Sequence, residues 1–308
     1  MLKKGYKIIP MIYDKMFKGV LTSKEARGYL ISLISNITGI KKESLKKNMV
    51  FKNNEQPVYG ISEKKKITDM VVDIKDCVIN LEMNREYYEG LMDRNNEYIS
   101  KIRESLVPEG ESYSDIPKTI QINFDNFNYY IPDKRVVIKF EMMDEKGVKE
   151  GVNTESYHVI LPNAKEKYYN EGSEEELVRE LVIMMAEKDE ELEKLIQDNM
   201  ELRKVGDKIV EISNDEKLQG WYDEEEHQRK VRNSLMASAI RKGWNEGKEA
   251  GKAEGLKEGI KEGIKEGETK GALFKQKEIA RNLLNTGVSI DIIEKATGIS
   301  RKEFSNEE

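Results

Sequence analysis

The sequence predicts an α/β protein, a mixed sheet flanked by helices and followed by a long charged helical region. Two observations carry that prediction. Segments 68–74 and 77–84 (TDMVVDI and CVINLEMN) are rich in Val and Ile, and Lys75-Asp76 separates them, so they read as a β-hairpin. From residue 174 the pattern changes. Leu177, Leu181, Met184, Met185, Leu192, Leu195 and Ile196 recur among Glu and Lys to about residue 204, which reads as one long charged helix.

The remaining elements follow in order. Thr22 with Glu25 three residues on has the form of a capping box, and Ala26, Tyr29, Leu30, Leu33, Ile34 and Ile37 then keep helical spacing to Gly39. One helix is expected over 23–38. After the hairpin, 85–104 reads as a helix with Tyr88, Leu91, Met92 and Ile99 inward. Apolar runs at 119–124, 136–142 and 157–161 supply further strands, with Asp133 and Gly147 among the turn residues. Between 243 and 271 a glycine stands at every fourth position, a row that drifts about 40° per step around a helix of 3.6 residues per turn. Eight interior glycines cost about 4–8 kcal/mol relative to alanine, so this stretch reads as a helical or frayed linker. The tail has two glycine turns, at 287 and 298, and a second capping pair in Ser300 and Glu303, which gives short helices. The expected parts are a core at 1–170, a charged helical region at 171–240, the glycine linker at 241–272 and a small helical segment at 273–308.

Composition bounds the chemistry. The chain has 308 residues, 38% hydrophobic and 36% charged, so part of it forms exposed helices rather than core. No stretch approaches the ~20 apolar residues of a spanning helix, and the N-terminus lacks the apolar run of a signal peptide, so a cytoplasmic protein with no membrane partner is expected. Cys77 is the one cysteine, which excludes internal disulfides and a multi-thiolate zinc site, and its apolar context reads as packing. The net charge of -6 is unevenly spread. Residues 1–52 carry twelve Lys/Arg against Asp14, Glu25 and Glu43, whereas 171–240 carry twenty acids against ten bases. A basic binding surface and a solvated basic face both fit that split. His158 lies in an expected strand and His227 in a charged helix, so no hydrolase triad forms, and no phosphate-cradling P-loop appears.

The hairpin carries the chemistry. With Lys75-Asp76 as the loop, Asp69 falls opposite Glu82, and Val78, Asn80, Glu82 and Asn84 share one strand face. Opposed carboxylates repel, with Cβ atoms about 4.5–5.5 Å apart, unless a cation offsets the charge. Mg2+ binds through one or two carboxylates and leaves sites for water and phosphate. Two acids on a solvated hairpin are the bland alternative, and a one-residue register slip would put them on opposite faces.

The frame ITDMVVDIKDCVINLEMN, with Asp69 and then Glu82-Met83-Asn84, resembles the D…(D/E)-x-K core of PD-(D/E)XK nucleases, in the branch of recombination-promoting nucleases and transposases where glutamine replaces lysine. An upstream Asp14-x-x-Phe17-Lys18 motif, Gly110…Tyr113, the 116–122 segment, the glycine repeat and the 279–304 tail extend the resemblance over nearly the whole chain. It implies a PD-(D/E)XK restriction-endonuclease-like core and a Mg2+-dependent DNA endonuclease, with Mn2+ as substitute cation and a link to recombination or transposition. Asp69 and Glu82 are then the metal ligands and Asn84 positions water. Asp14 completes the site or holds its water, a position that reads equally as a helix-start cap. Lys15, Lys18, Lys24 and Arg27 are the candidate DNA contacts. Asn84 departs from the family pattern, because its amide is shorter than glutamine and carries no charge. Two other readings therefore stand beside the enzyme: an inactive relic that binds DNA, and a scaffold that oligomerises through its C-terminal helices.

Overall fold

The computed structural model describes residues 1–52, 69–75, 77–106, 116–149 and 153–305. Thr68, Asp76, Gly110 and Tyr113, singled out above, lie outside the described residues. The chain divides into two compact units, Met1–Glu225 and Glu226–Glu308. The first holds α1 (Asp14–Leu21), α2 (Arg27–Thr38), α3 (Lys42–Asn48), β1 (Val50–Lys52), β2 (Met70–Asp73), β3 (Cys77–Asn84), α4 (Leu91–Ser105), β4 (Lys118–Asp125), β5 (Val137–Phe140), β6 (Thr154–Ile160), α5 (Leu161–Tyr169), α6 (Glu176–Val182), α7 (Asp189–Ile196), α8 (Met200–Ser213) and the first turns of α9 (Glu216–Asn285).

The sheet order is β1-β2-β3-β4-β6-β5, with β3, β4 and β6 parallel and the outer pairings antiparallel. This is the expected mixed sheet flanked by helices. Its two faces are chemically opposite because the strands alternate apolar and polar residues. Cys77, Ile79, Leu81 and Met83 of β3, Ile120, Ile122 and Phe124 of β4, and Tyr157 and Val159 of β6 join the main apolar core. Phe17 of α1 meets Phe124 there at 5.7 Å between ring centroids, which fixes α1 to the sheet. Residues of α2 and α6 to α8 complete the same core, including Leu33, Leu181, Leu195 and Val205. The first unit thus continues past the change in composition at 171. Cys77 is buried, and burial pushes its thiol up to about 12, as its packing context predicts.

The other sheet face carries Asn80, Glu82, Asn84, Gln121, Asn123, Asp125 and His158, and all seven are buried. Half-buried strands normally expose such a row. Here α4 lies over it, with Ile102 packed against Val71 and Val78 at one end and Arg94 hydrogen-bonded to Asn84 at the other.

Several local expectations change. The helix expected from 174 to 204 is three helices, because Ala186, Lys188 and Asn199 are extended. Asn199 accepts from the N–H groups of Glu201 and Leu202 and so starts α8 anew. Breaking the helix lets Val182, Ile183, Met184 and Met185 all turn into the core, which one straight helix face could not do. Thr22 does not cap α2; its hydroxyl closes α1 by donating to the carbonyl of Lys18. Ser23 Oγ accepts from Ala26 N–H instead, and α2 begins at Arg27, so Glu25 has no capping-box role. Strand β1 gives no sequence signal in three residues.

In the second unit the glycine row lies within α9, followed by α10 (Ile290–Thr297) and α11 (Arg301–Ser305). Gly287 and Gly298 take left-handed φ values of 85° and 75° at the helix ends, as their positions predict. Glu303 accepts from Ser300 N–H at 2.8 Å, the expected cap. Ala280, Ile293 and Ile299 form a small core of their own. No helix among the described residues is long and apolar enough to cross a membrane.

Phe17 is fully buried on the apolar face, so Phe17→Ala is expected to destabilise the first unit by about 3–5 kcal/mol, read from urea unfolding followed by circular dichroism. An unchanged midpoint would contradict this packing.

Candidate active site

The register of the β2–β3 hairpin decides what the two acids do. Met70 pairs with Leu81, Val71 with Asn80, Val72 with Ile79 and Asp73 with Val78. Ile74 N–H donates to the carbonyl of Cys77 at 2.8 Å, and Lys75 adopts a φ of 59°, so the chain reverses between Ile74 and Cys77 as expected. Continued by one residue, this register sets Asp69 opposite Glu82. The hydrogen bonds agree: Asp69 N–H donates to Glu82 Oε1 at 3.1 Å, and Met83 N–H donates to Asp69 Oδ2 at 2.7 Å. Each carboxylate is held by the backbone of the opposite strand.

Both acids are affected by burial. Desolvation first, and then the charge of Asp69, push Glu82 up to about 8. Asp69 rises to about 6, through burial and then its hydrogen bond with Asp14, against the opposing pull of Met83 N–H and Lys18. Asp14 and Lys18, one turn apart on α1, come to this site together. Lys18 Nζ lies 2.7 Å from Asp14 Oδ1 and 3.3 Å from Asp69 Oδ1. Burial alone would lower the Lys18 ammonium, but the two carboxylates outweigh it and hold it above its ordinary value.

Asn84 has a different setting. Its Nδ2 donates to Asp125 Oδ1 at 2.8 Å and its Oδ1 accepts from Arg94 at 2.8 Å, so both ends of the amide are engaged within the protein. A polar chain runs on from there. Asp125 Oδ2 takes His158 Nδ1 at 2.7 Å, and His158 Nε2 lies 3.4 Å from the Asn123 amide. An acceptor at Nε2 leaves the proton on Nδ1, facing Asp125. Gln121 donates to Asn123, Asn80 donates to Gln121 at 2.9 Å, and Asn80 also donates to Glu82 Oε1 at 3.1 Å. Arg94 acts electrostatically on Glu82 and closes the circuit. Three buried atoms in this layer, Asn80 Oδ1, Arg94 Nε and Asn95 Nδ2, make no hydrogen bond within the protein. Such atoms require water or a ligand.

The sequence reading named Asp14, Lys18, Asp69, Glu82 and Asn84, and all five lie on or beside this face. The other candidate cations lie elsewhere. Lys15 sits over the Trp221 ring at 4.2 Å, Arg27 donates to the carbonyl of Met49, and Lys24 lines a groove with Glu25, Lys46 and Glu201. The basic N-terminal segment meets the acidic segment within the fold, through Lys7–Asp223 at 2.7 Å and Lys42–Glu176 at 3.4 Å. The charge separation along the sequence is thus partly cancelled in space. Missed by the sequence reading were Arg94, Gln121, Asp125 and the partnership of His158. The alternation of Asn80, Glu82 and Asn84 pointed to the face, but nothing in the sequence showed that α4 covers it.

Among the described residues no three His, Cys, Asp or Glu side chains converge into a ready-made ion cage. Two carboxylates with open sites remain, the pattern by which Mg2+ is bound with water and phosphate. Their chemistry fits a hard divalent cation. A raised pKa means that the unfolded chain ionises first, so Glu82 costs stability as pH rises from the ordinary glutamate value of 4.5 towards about 8. In chelator, Glu82→Gln is expected to melt above the parent at pH 8, by roughly 2–4 °C for each kcal/mol recovered. Thermal melts at pH 5 should bring the two together, and Mg2+ at pH 8 should raise only the parent.

The family model described as PD-(D/E)XK nuclease family transposase matches residues 11–239. Neither the curated proteins nor the solved structures yield a match. The match spans more than half the chain and includes α1, the hairpin and the acids on both, in a family whose nucleases use divalent metals and act on DNA. The chain belongs to the PD-(D/E)XK nuclease transposase family.

Proposed function

We propose that this protein is a Mg2+-dependent endonuclease that hydrolyses DNA phosphodiester bonds, in recombination or transposition, with Mn2+ able to replace Mg2+. The observation that carries the reading is the facing pair Asp69 and Glu82, mutually repelling and each pinned to the other's strand, with Glu82 buried and Asp69 partly so. These two side chains hold the cation. When bound, the cation supplies Lewis-acid stabilisation of the phosphate and lowers the pKa of a water.

The chain's own residues do the rest. Lys18 pairs with Asp14 and Asp69 and presents its ammonium beside the place where phosphate arrives. Asp14 orients Lys18 and accepts a hydrogen bond from the attacking water. Asn84 is a positioning residue in this reading: it aims Arg94, whose unsatisfied Nε donates to a phosphate oxygen. Two cations from helices, Lys18 and Arg94, then serve where the family pattern places a single strand lysine. Lys15, Lys24 and Arg27 act as distant phosphate contacts, with correspondingly small effects.

A second reading rests on Asn84 alone. With no lysine or glutamine on the strand, the fold serves as an inactive DNA-binding protein that self-associates through α9. Plasmid nicking separates the two. With Mg2+ the parent nicks supercoiled DNA, Asp69→Ala and Glu82→Ala each lose at least about a hundredfold, and Lys18→Ala loses about tenfold or more. Salt-sensitive binding without nicking in Mg2+ or Mn2+, together with a multimeric mass that falls on deleting 243–271, would establish the second reading instead.

A further inference from the structure

In the same unit as the carboxylate pair lies a row of aromatic rings that the cation site does not use. Tyr87 contacts Phe127 at 5.6 Å and Tyr129 at 5.0 Å between centroids. Tyr129 meets Tyr130 at 5.2 Å, and Tyr130 meets Phe140 at 5.4 Å. Both Tyr130 and Phe140 also touch the ring of His158 at 5.5 Å. Tyr87, Tyr129 and Phe140 are 48%, 51% and 42% exposed, a large apolar outlay for a surface beside a polar site.

The register places the Phe140 end of this row on the working face. Phe140 pairs with Ser156 and Ile138 with His158, and His158 lies beside Asn123, which lies beside Glu82. Phe140 therefore points to the same side of the sheet as Glu82, three strands away, or about 14 Å at the spacing between strands. That is roughly the length of four stacked nucleotides. Behind Phe140 opens a cleft of about 500 Å³ between α4 and β5–β6. Its walls combine Phe140, Met142 and Ile99 with the hydrogen-bonding groups of Asn96, Ser100 and Arg103. At the other end, Arg94 lies over the rings of Tyr88 and Tyr98 at 5.7 and 5.3 Å.

Flat rings in series, hydrogen-bonding edges in a cleft and sparse uncompensated charge match the faces of nucleobases better than a row of phosphates. In a duplex those faces are stacked on one another and unavailable to side chains. We propose that the rim from Tyr87 to Phe140, with the cleft behind Phe140, stacks the bases of an unpaired DNA strand whose backbone crosses the Asp69–Glu82 pair. The inference rests on the nuclease reading for the direction of the strand and makes single-stranded or locally opened DNA the substrate class. Tyr87, Tyr129 and Phe140, the exposed rings, take one base each, and the cleft takes a base edge-on through Asn96, Ser100 and Arg103.

The test is anisotropy of a labelled oligothymidine, and of a duplex of equal length, with the full chain in EDTA, where no cutting occurs. The oligothymidine is expected to bind about tenfold more tightly than the duplex, and the preference should persist as salt rises, because stacking releases no counterions. Tyr129→Ala and Phe140→Ala should each weaken it about fivefold or more, and Tyr129→Phe should leave it unchanged. Equal affinity for duplex, or alanine variants with unaltered circular dichroism and unaltered oligothymidine affinity, would overturn the proposal. The two readings fail separately: nicking of duplex plasmid without any single-strand preference removes the rim and leaves the nuclease, and ring-dependent oligothymidine binding without cleavage removes the nuclease and leaves the rim.

Discussion

The fold is organised around two like charges that the β2–β3 pairing forces together. Asp69 and Glu82 occupy opposed positions in a hairpin whose register is fixed by four residue pairs and the reversal between Ile74 and Cys77. In water such a juxtaposition would be a small penalty on a strand pair. Beneath α4 it is larger, because burial removes the solvent that would screen it, and both carboxyl groups respond by holding their protons to higher pH. Lys18 offsets part of the charge from outside the sheet. Its presence depends on α1, and α1 depends on the contact of Phe17 with Phe124 on the opposite, apolar face. The hydrophobic core thereby sets the electrostatics of the polar side.

The polar side is itself unusual in being buried. Asn80, Glu82, Asn84, Gln121, Asn123, Asp125 and His158 satisfy one another across three parallel strands, and the buried atoms left without a partner in this layer are Asn80 Oδ1 on the sheet and Arg94 Nε and Asn95 Nδ2 on α4. Buried networks of this kind are stable only when nearly every member has a partner, so each residue in the circuit constrains the next. Arg94 occupies the junction between the circuit and the acids, which is why a helix residue without any strand signature bears on the site.

Much of this was legible in the sequence. The strands, their turn and the opposition of Asp69 and Glu82 follow from alternation and from Lys75-Asp76, since a period of two leaves little freedom once a loop is chosen. The approach of Asp14 and Lys18 was legible only through family resemblance, because no local pattern says where a helix packs. The cover over the polar face was not legible. Alternation in CVINLEMN reads as one wet face and one dry one, and whether a later helix closes the wet face is a tertiary fact. The single helix expected at 174–204 failed for a related reason. Leu177 to Ile196 keep approximate helical spacing, but Asn199 competes for the backbone as a cap, and Val182 to Met185 are drawn inward on all sides. Opposite charges placed far apart in sequence, as in Lys7 and Asp223, likewise meet only once the chain is folded.

The anchors of the two acids are main-chain groups. Asp69 is held by the N–H of position 83, and Glu82 by the N–H of position 69. Every amino acid except proline supplies that N–H, whatever its side chain. The grip on Asp69 therefore does not depend on the chemistry of the side chain at position 83, which is left free to serve the apolar core on the other face.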